Sequence, residues 1–248
     1  MNAASSQSNR LSGMWANWIN ERHTSPDTFA QAQDAIRAGE AALPFKGLWK
    51  EVPFLALSKA VPNLTWEKMR VLRDGGAAVR QVTELEFYAS PQALRFSAHD
   101  RAICLDEALN GNGTLTEIEQ KALRYFFAFA ILTPALSTWV SMVLDTDQIS
   151  ATSVEFTRYA SEDFISPHTD AVGTRVANLV TYFDQENLHA GGGVLVARNK
   201  AGQERTFLPS SRDAVLLPVH PEQTHWVTPW KNEVGRYTVS IGFSRGSA

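Results

Sequence analysis

The chain has a single cysteine, Cys104, in 248 residues, which excludes an intrachain disulfide framework and a thiolate metal cluster. Any metal must therefore be held by histidine and carboxylate. Charge of one sign is lacking too: 23 Lys and Arg against 26 Asp and Glu leave a net charge of −3, and no basic field exists to hold a polyphosphate. Nucleic acid is excluded as an expected partner. The N-terminal stretch MNAASSQSNRLSGMW lacks the apolar segment of a secretory signal, so the expected location is cytoplasmic. Internal repeats and low-complexity linkers are missing as well. With 44% hydrophobic and 20% charged residues the composition is that of a folded chain with a core, which excludes disordered and fibrous classes.

Long uncharged runs are scarce, with one exception. Tyr125–Leu144 has 20 residues without a formal charge, the length of a membrane span. Pro134 interrupts it, and Glu117, Glu119, Lys121 and Arg124 charge the turns before it, so the expectation is a buried helix backing a sheet and no membrane association.

Up to about residue 145 the pattern is mostly helical. A helix over Asp27–Ala42 is expected, capped by Ser25 or Asp27, and Thr116 with Glu119 forms a capping box ahead of the apolar helix. Ala77–Tyr88 and Leu94–Ala98 alternate like strands. From Thr152 onward eight short β-rich runs follow: SVEFTRYA, FISPHTDA, RVANLVTYF, GGVLVAR, RTFL, AVLLPV, THWVTPW and RYTVSIGF, separated by turn residues. This predicts a mainly β core with an α-helical N-terminal half, a double-stranded β-helix (jelly roll) flanked by helices, in a single domain over 1–248.

Of the six histidines, only His168 opens a His-x-Asp triplet, with Asp170. On a strand, positions i and i+2 share a face, so both side chains can reach one ion. His225, in THWVTPW, supplies a third ligand, and His220 competes with it from a loop-like HPEQ context. Two imidazoles and one carboxylate suit non-haem Fe(II), because they leave coordination positions open. Arg236 follows His225 by eleven residues on the next strand, where alternation turns it into the barrel. An arginine there needs an anion, and its fork grips a carboxylate, with the Thr238 hydroxyl on the same face. His23, His99 and His189 are read as solvated histidines. Arg158 is read as pointing outward beside an inward Tyr159, and Trp226 and Trp230 as flanking the metal-histidine strand.

The order His168-x-Asp170, His225, Arg236 on eight strands resembles the iron(II)- and 2-oxoglutarate-dependent dioxygenases, in their prolyl-hydroxylase-like branch. The resemblance covers about Thr152–Phe243. EFTRYASEDFISPHTD is similar to the strand and turn leading into the family's metal motif, and RVANLVTYFD to its Arg-x-x-Thr-x-x-x-Tyr-Leu-Asn strand. AGGGVLV resembles the Gly-Gly strand, FLPSSRDAVLLPV the Pro-x-x-Gly-x-hydrophobic strand, and THWVTPW the His-x-Val-x-Pro motif. Asn178 stands where the branch often has Thr, and Phe183-Asp184 replaces Leu-Asn. The first 150 residues resemble no named family.

The resemblance implies that His168, Asp170 and His225 hold iron and that Arg236 pairs with the distal carboxylate of 2-oxoglutarate, helped by Tyr182 and Thr238. Tyr159 and Asn178 complete the cosubstrate candidates. Residues 151–248 become the jelly-roll catalytic core and 1–150 a supporting, substrate-facing region. The implied cofactors are Fe(II), 2-oxoglutarate and O2, with ascorbate as an optional reductant. The implied reaction is hydroxylation of a small molecule, an amino acid or natural-product intermediate, with release of succinate and CO2; desaturation or ring formation starts from the same hydrogen abstraction. Family members that halogenate lack the carboxylate ligand, so Asp170 points to hydroxylation. Two alternatives stay open: a peptide or protein hydroxylase of the same chemistry, and a non-catalytic cupin-like binding protein. No sequence feature encodes the oligomeric state.

Overall fold

A computed structural model describes residues 13, 15–74, 78–111, 113–183, 192–208 and 210–246. In chain order these form α1 (Pro26–Arg37), β1 (Leu43–Phe45), α2 (Glu51–Ala60), β2 (Thr65–Arg73), β3 (Val79–Gln81), α3 (Glu84–Ala89), β4 (Arg95–Ile103), α4 (Leu105–Asn110), α5 (Glu117–Phe127) and α6 (Ala135–Leu144). The strands that follow are β5 (Ile149–Tyr159), β6 (Phe164–His168), β7 (Arg175–Tyr182), β8 (Leu195–Arg198), β9 (Glu204–Phe207), β10 (Ala214–Pro218), β11 (Thr224–Val227) and β12 (Arg236–Arg245). Each of the eight expected C-terminal runs contains a strand.

All pairings are antiparallel, in the order β1-β10-β7-β12-β5-β4-β6-β11-β8-β9, with β2 and β3 attached outside β4. The sheet curls into a nearly closed barrel of jelly-roll type. Alternation makes each strand two-faced. On β12, Val239, Ile241 and Phe243 are fully buried on the outer face, where they join a core built with α1, α2, α5 and α6. Arg236, Thr238 and Ser240 face inward. Phe156 of β5 lies on the same outer side, with ring centroids of Phe126, Phe127 and Phe183 6.0–6.2 Å away.

The N-terminal half differs from the expected pattern in four places. First, α1 ends at Arg37 rather than Ala42, because Gly39 turns the chain at φ +87° and Leu43 enters β1. Its cap is Ser25, whose Oγ accepts from the Thr28 amide. Second, only Val79–Gln81 of the expected Ala77–Tyr88 strand is one. Thr83 caps α3 through the Glu86 amide, so the alternation of ELEFY belongs to a helix with Leu85 and Tyr88 exposed. Residues 75–77 lie outside the described set.

Third, β2 was not expected and Leu94–Ala98 is only the start of β4. Both carry charges, and β4 accommodates Asp100 by pairing it with Arg158 across the sheet. β4 lies between β5 and β6 and so joins the two halves of the barrel wall. Fourth, the apolar helix is broken: α5 continues as a π-helical turn over Ala128–Leu132, and α6 starts after Pro134 at a 50° bend. The Thr116–Glu119 capping box forms as expected. Among the described residues no single helix is long and apolar enough to cross a membrane; the bent pair meets that test only jointly, and Leu136, Trp139, Val140 and Val143 of α6 are fully buried in the core.

Candidate active site

The inward faces of β5, β6, β7, β8, β11 and β12 enclose a cavity of about 340 Å³. That is within the size range of small-molecule sites. At one side stand His168, Asp170 and His225. His225 is directly opposite His168 in the β11–β6 register, and their ring centroids are 4.3 Å apart. Antiparallel pairing thus brings together two residues far apart in sequence.

Asp170 is delivered differently from the expected strand alternation. β6 ends at His168, and Asp170 sits in the turn beyond it, where its carbonyl accepts from the Val172 amide at 2.7 Å. The Thr169 hydroxyl anchors this turn on the His220 carbonyl at 3.2 Å. The turn places Asp170 Oδ1 3.5 Å from His168 Nε2 and Oδ2 3.2 Å from His225 Nε2. One donor atom from each residue lies within 4.8 Å of the others.

The donor chemistry fits a divalent metal. His168 Nδ1 is 2.9 Å from the Ser166 carbonyl, which can only accept, so this nitrogen carries the proton and Nε2 keeps its lone pair toward Asp170. Burial lowers the His225 pKa, which favours the neutral imidazole a metal requires. Burial alone would raise the Asp170 carboxyl, but its two histidine neighbours outweigh burial and hold Asp170 well below the usual carboxylate range. Two neutral imidazoles beside one carboxylate are the donor set of non-haem iron.

Behind Asp170 runs a polar chain. The Asn178 amide donates to Asp170 Oδ2, and Asn178 Oδ1 accepts from Arg175 Nη1 at 2.5 Å. Arg175 Nη2 also donates to Ser153 Oγ at 3.2 Å. A Cβ on Gly242 would overlap this guanidinium, so β12 needs glycine where Arg175 crosses it. Asn178 lines the cavity, but its amide is committed to Asp170 rather than turned toward a cosubstrate.

Arg236 lies at the other end, with no solvent exposure. Its guanidinium carbon is 4.8 Å from the Tyr182 ring centroid and 5.6 Å from that of Tyr159, its partner in the β12–β5 register. Thr238, also inward, pairs with Tyr182. Burial raises the Tyr159 phenol, partly opposed by Arg236, so its hydroxyl stays protonated. The Gly-Gly motif has its reason here: a Cβ on Gly193 (φ +60°) would come within 2.7 Å of Arg236 Nη1 and of the Trp230 ring. This end presents a buried cation, a threonine hydroxyl and two phenols, which fits a carboxylate.

His220 is outside the donor cluster, its side chain 50% exposed. His23 is half-buried, its Nε2 2.9 Å from the Lys46 carbonyl. His99 corrects the expectation of a solvated histidine beyond the barrel. It is buried on β4, its ring 6.3 Å from that of Tyr159, and burial first, then the Arg70 charge, lowers its pKa to about 4. His189 lies outside the described residues. Arg158 is tied to Asp100 and stacks on Trp66, as its outward reading implies. Trp226 packs beneath Arg198, and Trp230 donates to the Val234 carbonyl at 2.8 Å; neither lines the cavity.

Sequence reading missed the rest of the polar wall: Ser153, Glu155, Thr157, Arg175 and Ser240. The signal was present for four of them. Positions 153, 155 and 157 share the face of Tyr159, and Ser240 shares that of Arg236 and Thr238. Arg175 begins the strand that ends in Tyr182, but its side chain reaches the wall through the space left by Gly242.

Residues 154–243 match the family model of the 2OG-Fe(II) oxygenase superfamily. No curated protein sequence matches the chain. Among solved structures, a prolyl-4-hydroxylase from Pseudomonas putida is similar at 14% identity and a TM-score of 0.56, covering 88% of this chain and 99% of that one. A prolyl hydroxylase from Trichoplax adhaerens, solved with a hypoxia inducible factor peptide fragment, is similar at 14% identity and a TM-score of 0.58, over 87% of this chain and 88% of that one. The non-heme alpha ketoglutarate dependent epimerase SnoN from nogalamycin biosynthesis is similar at 10% identity and a TM-score of 0.58, over 89% and 82%. These likenesses establish a shared fold.

Proposed function

We propose that this chain, whose residues 154–243 match the 2OG-Fe(II) oxygenase superfamily model, is a 2-oxoglutarate-dependent dioxygenase that hydroxylates an unactivated C–H bond of a small molecule, an amino acid or natural-product intermediate. The observation that carries the reading is one cavity with a His-Asp-His donor set on one side and a fully buried arginine at its far end. In balance, substrate, 2-oxoglutarate and O2 give hydroxylated substrate, succinate and CO2. Fe(II), when bound, supplies the redox chemistry that couples O2 reduction to 2-oxoglutarate decarboxylation and C–H oxidation.

The protein's share is binding, orientation and exclusion of water. His168 Nε2, His225 Nε2 and Asp170 would hold the metal from one side and leave the cavity side open. Arg236 would fix the distal carboxylate of 2-oxoglutarate, with the Thr238 and Tyr182 hydroxyls adding hydrogen bonds. The rings of Tyr159 and Tyr182 shield that pair from water, which strengthens it. Asn178 holds Asp170 Oδ2 in place, as outer-shell partners of metal ligands do.

A cavity of about 340 Å³ supports a small substrate, and the likeness to SnoN, an enzyme of nogalamycin biosynthesis, agrees with it. The likeness to prolyl hydroxylases supports a second reading, the same chemistry on a peptide. Screening the Fe(II)-loaded protein for succinate release with a metabolite library and a proline-containing peptide library separates them. Stimulation by a metabolite is expected, and stimulation by peptides alone would overturn the small-molecule reading. With chloride present the product should be hydroxylated and free of chlorine, because Asp170 holds the position a halide needs in the family's halogenating members.

A further inference from the structure

Among the described residues the cavity wall carries one carboxylate besides Asp170. Glu155 projects from β5 between Ser153 and Thr157 on the same face, opposite Ser240 of β12 in register. It sits one layer above Thr238 and Tyr182 and one layer below the Asn178–Gly242 pair that backs Asp170. Asp170 is near enough for its charge to raise the Glu155 pKa.

The basic groups facing Glu155 are engaged elsewhere. Arg175 binds Asn178 and Ser153, and Arg101 of β4 pairs with Glu67 at 3.4 Å. His99 Nε2 is 4.0 Å from Glu155 Oε1, but buried histidine with a pKa of about 4 is neutral at physiological pH. Among the described residues no Lys or Arg nitrogen is within 4.0 Å of this carboxylate. The Glu155 side chain is 51% exposed, so a ligand entering the cavity can reach this carboxylate and bring a cation to it.

Resting on the oxygenase reading above, we propose that Glu155 is the substrate-recognition residue of this site and that the substrate carries a cationic amine. An aliphatic ammonium is charged at neutral pH and has three N–H donors. The Glu155 carboxylate and the hydroxyls of Ser153 and Ser240 offer acceptors on one wall, apart from the Arg236 end that suits the cosubstrate carboxylate. The same wall disfavours an anionic group, which meets Glu155 with like charge.

The test uses the full-length protein loaded anaerobically with Fe(II) and 2-oxoglutarate, and a panel of aliphatic amines and amino acids with their N-acetylated counterparts. Ligand-observed NMR reports binding, and succinate release in air reports turnover. Wild type should bind one or more free amines at least tenfold more tightly than their acetylated forms. Glu155→Gln should erase that preference, and Glu155→Asp should restore part of it. An unchanged preference in Glu155→Gln, equal binding of amine and acetyl forms by wild type, or no amine binding at all would overturn the assignment. Amine binding lost in Glu155→Gln with no succinate formed by wild type from any ligand would instead count against the oxygenase reading, so the two failures are distinguishable.

Discussion

The two faces of β5, β7 and β12 are built from alternate residues of the same strands and do different work. Phe156, Leu179, Val239, Ile241 and Phe243 point outward, all without solvent exposure, into the core shared with the helices. Their inward neighbours are Glu155, Thr157, Tyr159, Asn178, Tyr182 and Arg236. Stability is thus held one residue step away from chemistry. The outer face is mostly apolar, its buried Thr181 accepting from the Trp49 indole, whereas the inner face carries the polar groups that bind ligands.

The largest expected effect breaks the outer face. Phe156→Ala removes a ring packed among Phe126, Phe127 and Phe183 and should cost about 3–5 kcal/mol of unfolding free energy, read from the denaturant midpoint. The folded fraction should keep its affinity for 2-oxoglutarate within about twofold. A loss of stability well under 1 kcal/mol would mean that helices and barrel are not one core.

The matching change on the inner face is Arg236→Ala. Loss of a buried, hydrogen-bonded charge pair costs about 2–5 kcal/mol, so 2-oxoglutarate affinity should fall roughly 30-fold to several thousand-fold. Iron stoichiometry, measured anaerobically, should be unchanged. Arg236→Lys should recover only part of the loss, because an ammonium lacks the planar fork. Normal cosubstrate binding in the alanine variant would break the assignment of this end of the cavity.

His99 sharpens the comparison through pH. Its pKa falls from 6.5 in the unfolded chain to about 4 in the fold, so the native state binds fewer protons than the unfolded state between those values. Stability is therefore full above about pH 6.5 and falls as pH drops toward 4, by about 3 kcal/mol for this group. Unfolding curves at pH 7 and pH 4.5 should show a shallower pH dependence for His99→Phe than for wild type. Equal slopes would mean that His99 is solvated.

The smallest effect concerns the chain behind Asp170. Asn178→Ala should weaken Fe(II) affinity about 10- to 100-fold, the usual penalty for losing an outer-shell partner. His220→Ala should leave it unchanged, since His220 is not among the converging donors. A reversed order of these two variants would reassign the third histidine.

Much of this site is legible in the sequence. His168, Asp170, His225 and Arg236 announce themselves by residue type, order and spacing on strands of regular alternation, and that alternation also places Thr238, Tyr182 and Tyr159 inside. The N-terminal half was less legible for a physical reason. β2 and β4 carry charged residues whose burial is made tolerable by distant partners, as Arg158 does for Asp100, and no local pattern records a partner 58 residues away.

By itself, then, the sequence determined the eight C-terminal strands, the capping box of α5 and the donor types of the site, because period-two hydrophobicity and local hydrogen bonding depend on near neighbours. Only the tertiary structure decided that Asp170 reaches the histidines from a turn, that Asn178 and Arg175 stand behind it, that Gly193 and Gly242 make room for two arginines, and that Glu155 faces the same cavity. Each of these depends on which strands lie side by side and in what register, and register is settled by packing across the whole sheet.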